Sequence, residues 1–284
     1  MNRLSRSFSL VRSSWFVLSH DKELLLLPVI SGVATAMSTL PFLAGALLVG
    51  IPTSTGEATS SPLGLALVFL GYLVAAYVTI FFQSALILAA NERLAGGSPT
   101  LGSAIAAAAG RAGTILPWAI ISATVSMVLR SIQERSGIIG RILIGLIGMA
   151  WTLITFLVLP ILVVEGTGVK DALTRSAAAF KRTWGENVVG NAGIGLVGFL
   201  AVLAGLLVAG PIIAVGAAGG VVAITVAGVA LFVLWVIVVS VFSSALSGVF
   251  QTALYRYAML GEEPTGFTHE QIAGAFVPKR RRLG

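Results

Sequence analysis

Six apolar runs, at about residues 24–51, 63–90, 113–132, 140–164, 187–214 and 221–257, leave this chain little choice of fold. Each reaches the ~20 residues that a helix needs to cross the hydrocarbon core of a bilayer. Lipid offers no hydrogen-bond partners, so a spanning segment must pair its own backbone groups, which a helix does. The sequence therefore predicts an all-α fold, a polytopic membrane bundle of six transmembrane helices. The balance of side chains agrees: 57% are hydrophobic and 10% charged, where a soluble domain is roughly a quarter charged. Pro41, Pro117 and Pro160 fall within runs, where membrane helices tolerate them as kinks.

A second pattern lies between the runs. Leu4, Phe8, Val11 and Trp15 are spaced four, three and four apart. So are Leu101, Ile105, Ala108 and Ala112, and so are Leu173, Ala177, Phe180 and Trp184. Each quartet falls on one face of a helix. Leu4-Ser5-Arg6-Ser7 also matches Leu173-Thr174-Arg175-Ser176, and Arg12-Ser13-Ser14-Trp15 matches Lys181-Arg182-Thr183-Trp184. The pattern predicts a threefold repeated unit, a cytoplasmic-side amphipathic interfacial helix followed by a transmembrane hairpin, over about 1–90, 98–164 and 168–258. One transmembrane domain then covers 1–264, and a short basic tail covers 265–284. Arg6, Arg12, Arg175, Lys181 and Arg182 flank the stripes, and Trp15 and Trp184 end them. That placement predicts contacts with lipid headgroups, anionic ones in particular.

Orientation follows from the basic residues. Of the 18 Lys and Arg, only Arg130, Arg135 and Arg141 fall on the side opposite the termini. Positive charge holds loops in the cytoplasm, so both termini are expected there, in a bacterial inner membrane. Arginine outnumbers lysine 14 to 4, as in GC-rich bacterial genomes. The net charge of +7 is read as serving topology and anionic lipid, not nucleic acid. A cleaved signal with Leu24 to Val33 as its apolar core is the competing reading of the N-terminus. The run continues to Ile51, too long for such a signal.

The chemistry-bearing residues are few. No run carries a carboxylate in its middle, which removes the usual groups of ion-coupled transport. There is no cysteine, no HExxH, no GxSxG and no phosphate-binding Gly-Lys-Ser loop. Neither a cofactor, a metal site nor an enzymatic activity is expected. Gly190, Gly193, Gly195 and Gly198, and the run Ala201, Gly205, Ala209, read as helix-packing positions. Trp118 is expected near the interface, and Trp151 and Trp235 as core residues nearer mid-depth. The polar side chains within runs stand out. Ser240, Ser243, Ser244, Ser247 and Gln251 recur at three- and four-residue steps in the sixth, and Gln83 occupies a matching depth in the second. They form either an interhelical hydrogen-bonding face or a polar cleft for a headgroup or small solute.

Further motifs carry a resemblance. Trp151-Thr152-Leu153, Phe156 to Pro160, Glu165-Gly166, Leu173 to Ser176 and Lys181 to Glu186 follow one another. With Ser14-Trp15 through Asp21 to Pro28, and Ala273 to Phe276 with Lys279, they are similar to a bacterial and archaeal family. Its members are uncharacterised six-helix integral membrane proteins, a domain-of-unknown-function family. The resemblance implies an integral membrane protein and no established substrate, cofactor or catalytic residue. More loosely, the layout is similar to membrane domains attached to glycerophosphodiester phosphodiesterases, though the chain holds no phosphodiesterase domain.

Two functions follow as expectations. The first is a non-enzymatic, lipid-interacting scaffold or accessory subunit, with membrane lipids and a membrane-protein partner or second copy as its partners. The alternative is a permease or lipid-translocating protein using the polar face of the sixth helix. A cleft reaching mid-depth beside Ser243, Ser247 and Gln83 favours the alternative, and a dry, close-packed bundle the scaffold.

Overall fold

The structure, a computed structural model, describes residues 14–15, 22–49, 61–183 and 189–262. A 3-10 turn, Lys22–Leu25, leads into α1 (Leu26–Val49), which pairs with α2 (Pro62–Leu94). The short α3 (Leu101–Ala109) precedes α4 (Ala112–Arg135), α5 (Ile138–Thr155) and α6 (Val158–Glu165). The amphipathic α7 (Val169–Thr183) precedes the hairpin of α8 (Val189–Ala218) and α9 (Val222–Tyr255), which ends in a π-helical turn, Arg256–Leu260. Among the described residues, six helical stretches are long and apolar enough to cross a membrane: Glu23–Val49, Pro62–Leu94, Ala112–Arg135, Ile138–Glu165, Val197–Ala218 and Val222–Leu260. They coincide with the six expected runs to within a few residues, the start of the fifth excepted.

The fourth span is not one helix. It breaks at Phe156 and Leu157, between α5 and α6. Pro160 is the cause, because it has no N–H to offer the carbonyl four residues earlier and its ring crowds that carbonyl. Pro41 and Pro117 sit inside unbroken helices.

Burial is concentrated at one end of the bundle. There, residues from the last turns of α2 and α9, the first turns of α4, and nearly all of α6 form the core. Ile87, Ile115, Ile161, Val249 and Tyr255 are fully buried in it. Across this end lie α3, through Ala104 and Ala108, and α7, through Ala172, Ser176 and Ala179. The far halves of the spans expose large apolar side chains, such as Leu48 at 88%, Ile138 at 78% and Leu207 at 78%. Lipid tails are as apolar as leucine, so a membrane bundle gains nothing by hiding them.

The hairpins close on small residues instead. A Cβ at Gly71 would stand 3.0 Å from that of Phe42, between α1 and α2. Between α8 and α9, Gly198 faces Ser243, Gly205 faces the Trp235 ring, and Gly216 meets the backbone of Thr225. Trp235 is thus not a core residue. It is 42% exposed, with its indole N–H donated to the carbonyl of Ala201 at 2.8 Å. By contrast α5 buries none of its residues fully, though Trp151 and Leu153 pack against the core.

Candidate functional site

The break in the fourth span organises the site. Losing the N–H of residue 160 leaves the Phe156 carbonyl without its helical donor, and the Gln251 side chain of α9 donates its Nε2–H there instead. Ser176 of α7 completes the repair: its hydroxyl donates to the Ile154 carbonyl and accepts from the Leu157 N–H at 3.3 Å. Each such group left unpaired in lipid costs several kcal/mol, so α7 and α9 are stitched to the broken span.

Just beyond the break, Glu165 accepts both guanidinium nitrogens of Arg175 and the hydroxyl of Tyr255 at 3.0 Å. Gly166 ends α6 with φ +69°, a conformation suited to glycine, and the Arg111 guanidinium packs over it where a Cβ would stand. On the other side of α9, Arg256 donates to Asn91 at 2.9 Å and pairs with Glu262. The Trp, Pro, Glu-Gly and Arg-Ser positions singled out in sequence therefore converge on one structural joint.

Above this joint a cavity of about 270 Å³ opens between α2, α4, α5 and α9. Its polar lining is Gln83, Ser122, Thr152, Thr155, Ser247 and Gln251, and Trp118 and Phe156 form an apolar wall. Gln83 lies eleven residues before the end of α2, ~16 Å along its axis, and Ser122 ~15 Å from the start of α4. Gln83 donates to Gln251 at 3.4 Å. The hydroxyls of Thr152 and Thr155 donate to their own helix, to Gly148 and Trp151 at 2.9 and 2.8 Å. Ser122 and Ser247 make no hydrogen bond among the described residues. A second cavity of about 260 Å³ shares Ile80 and Ser122 and follows the seam of α2 and α4 past Thr79 and Ser126 to Tyr72. Tyr72 is ~16 Å beyond Gln83.

The polar face read from sequence divides accordingly. Gln83, Ser247 and Gln251 meet in the cleft. Ser243 turns instead toward Gly198 of α8, and Ser240 and Ser244 are exposed on the outside of α9. Ser122, Thr152 and Thr155 were missed by spacing within α9. Thr152 and Thr155 continue a stripe of small residues, Gly145 and Gly148, down one face of α5, which is a readable signal. Trp118 is buried in the core and stacks on Trp151, with centroids 6.2 Å apart and planes at 24°. The tryptophan is drawn inward because the start of α4 is covered by the core.

Of the expected headgroup contacts, Arg175 is half-exposed and engaged with Glu165. Trp15 is half-exposed and lies against Phe242, centroids 5.6 Å apart. Arg6, Arg12 and Trp184, and the side chains of Lys181 and Arg182, lie outside the described residues. In α7, Leu173 and Phe180 are partly buried against the core, so much of the expected lipid-facing stripe meets protein.

A family of unknown function, DUF6159, matches residues 62–267. The chain belongs to this family. The match includes the broken span, the Glu165–Arg175 pair and the whole cleft, so joint and cleft fall within the family region. The hairpin partner α1 and the motif from Ser14 to Pro28 lie before it. No curated protein and no solved structure matches the chain.

Proposed function

We propose that this is a non-enzymatic translocating protein of a bacterial inner membrane, which passes a polar group along the cleft between α2, α4, α5 and α9. One observation carries the reading: within the apolar spans, Ser122 and Ser247 face a cavity, and their hydroxyls find no partner among the described residues. Hydroxyls and amides in hydrocarbon without partners cost about 2–7 kcal/mol each, so water or a polar solute belongs there. The chain has no cysteine, which makes the test direct. Ser122→Cys and Ser247→Cys are expected to react with a small water-soluble thiol reagent, while Val249→Cys, fully buried, stays unlabelled. Equal protection of all three would end the translocation reading. With both termini in the cytoplasm, Gly137→Cys, in the turn between α4 and α5, is expected to react with an impermeant reagent added outside intact cells. Reaction only after lysis would reverse the orientation.

The scaffold reading keeps one observation of its own, the pair of short helices α3 and α7 laid across the packed end of the bundle. In this reading they and the segment ending at Trp15 are three copies of one interfacial helix, each preceding a pair of spans and meeting anionic headgroups. A peptide of residues 168–184 is expected to gain more helix on anionic vesicles than on neutral ones. Equal helicity on both would remove the electrostatic part of this role.

A further inference from the structure

The lining of the cleft narrows what it takes. None of its lining residues among those described is ionisable. At the joint, Glu165 and Arg175 neutralise each other, and Arg256 is held by Asn91 and Glu262. A phosphate, carboxylate or ammonium entering the cleft would lose its water and find no counter-charge, which is the costliest form of burial. An uncharged ligand faces no such barrier.

The hydrogen-bonding inventory is mixed. Gln83 keeps its Oε1 and one N–H uncommitted, because a single N–H goes to Gln251. Ser122 and Ser247 each offer a donor and an acceptor. Thr152 and Thr155 have spent their protons on backbone carbonyls and present oxygens that only accept. A ligand that satisfies this set must both donate and accept at several adjacent points, as neighbouring hydroxyl groups do. The wall of Trp118, held rigid against Trp151, suits the C–H face of a ring or polyol chain. The cleft, at about 270 Å³, has room for one small group or several waters.

Resting on the translocation reading, we infer that the cleft takes an uncharged, hydroxyl-rich group, a sugar or polyol, either free or as the head of a lipid. The seam between α2 and α4 continues the same chemistry through Thr79, Ser126 and Tyr72, so the group keeps hydroxyl partners as it leaves the cleft.

The full chain reconstituted in vesicles separates the possibilities. Fluorescent monoglucosyl diacylglycerol, its label quenched from outside by dithionite, reports the lipid-borne form. Osmotic swelling in xylitol reports the free form, and fluorescent phosphatidylserine is the charged comparison. One of the two uncharged probes is expected to cross about tenfold faster than phosphatidylserine, and which one moves identifies the source. The double variant Ser122→Val, Ser247→Val removes the two hydroxyls offered to the ligand and is expected to slow that probe about tenfold. The variant Ser122→Thr, Ser247→Thr, which keeps both hydroxyls, is expected to retain most of the rate, so a loss in the first is not read as misfolding. Phosphatidylserine crossing as fast as the uncharged probes would overturn the ligand class and leave translocation standing. All three probes crossing no faster than in protein-free vesicles would overturn both.

Discussion

Gln251→Leu is expected to destabilise the bundle by about 1–3 kcal/mol, because it removes the side-chain hydrogen bond that the Phe156 carbonyl accepts at the break. Gln251 donates where Pro160, four residues on, supplies no N–H. The two positions are therefore predicted to be coupled. In the Pro160→Ala background the helix recovers its own donor, and Gln251→Leu should then cost about 1 kcal/mol or less. Unfolding of wild type, both single variants and the double variant in detergent measures that coupling. Strict additivity of the two changes would show that the Gln251 bond is not a repair of the break. Ser176→Ala tests the other stitch, since it leaves the Ile154 carbonyl and Leu157 N–H without their side-chain partner.

A comparable loss is expected from Gly216→Ala. A Cβ there would stand 2.5 Å from the backbone nitrogen of Thr225 and 3.0 Å from the carbonyl carbon of Ile224. Backbone cannot turn aside as a side-chain end can, so α8 and α9 must separate near their connection, at about 1–3 kcal/mol for a single methyl and more for Val. The separation would also loosen Gly205 from Trp235 further along the hairpin. Gly32→Ala is the comparison: nothing lies within 4 Å of its Cβ position, and inside a helix Ala is favoured over Gly by up to about 1 kcal/mol. Thermal unfolding in one detergent ranks the two. A Gly216→Ala protein as stable as Gly32→Ala would mean that the α8–α9 approach is not close.

The joint explains motifs that sequence presents only as a string. Trp151, Pro160, Glu165-Gly166 and Arg175-Ser176 are spread over 26 residues, yet each has a task at or beside the same break. Trp151 backs Trp118, Pro160 creates the gap, Glu165 holds Arg175 and Tyr255, and Ser176 repairs the backbone. The amphipathic stripe of α7 carried two signals that spacing cannot separate. Its Ala172, Ser176 and Ala179 are buried against protein, while Leu173 and Phe180, read as lipid anchors, are partly buried beside them. An apolar face fits a lipid surface and a helix bundle equally well.

The number of spans and the helical fold were determined by the sequence alone. Bilayer-length apolar runs have one way to satisfy their backbone in lipid, and each run reports itself without reference to the others. Pro160 marked a kink for the same local reason. Which polar side chains share a site was decided only by the tertiary structure. Within a membrane helix a hydroxyl pairs readily with the carbonyl one turn back, as Ser84, Thr152, Thr155 and Thr252 do, so its presence in a run says nothing of what it faces. Ser243 and Ser247 are one turn apart on α9. Only the positions of α2, α4, α5 and α8 around that helix set one against glycine and the other in the cleft.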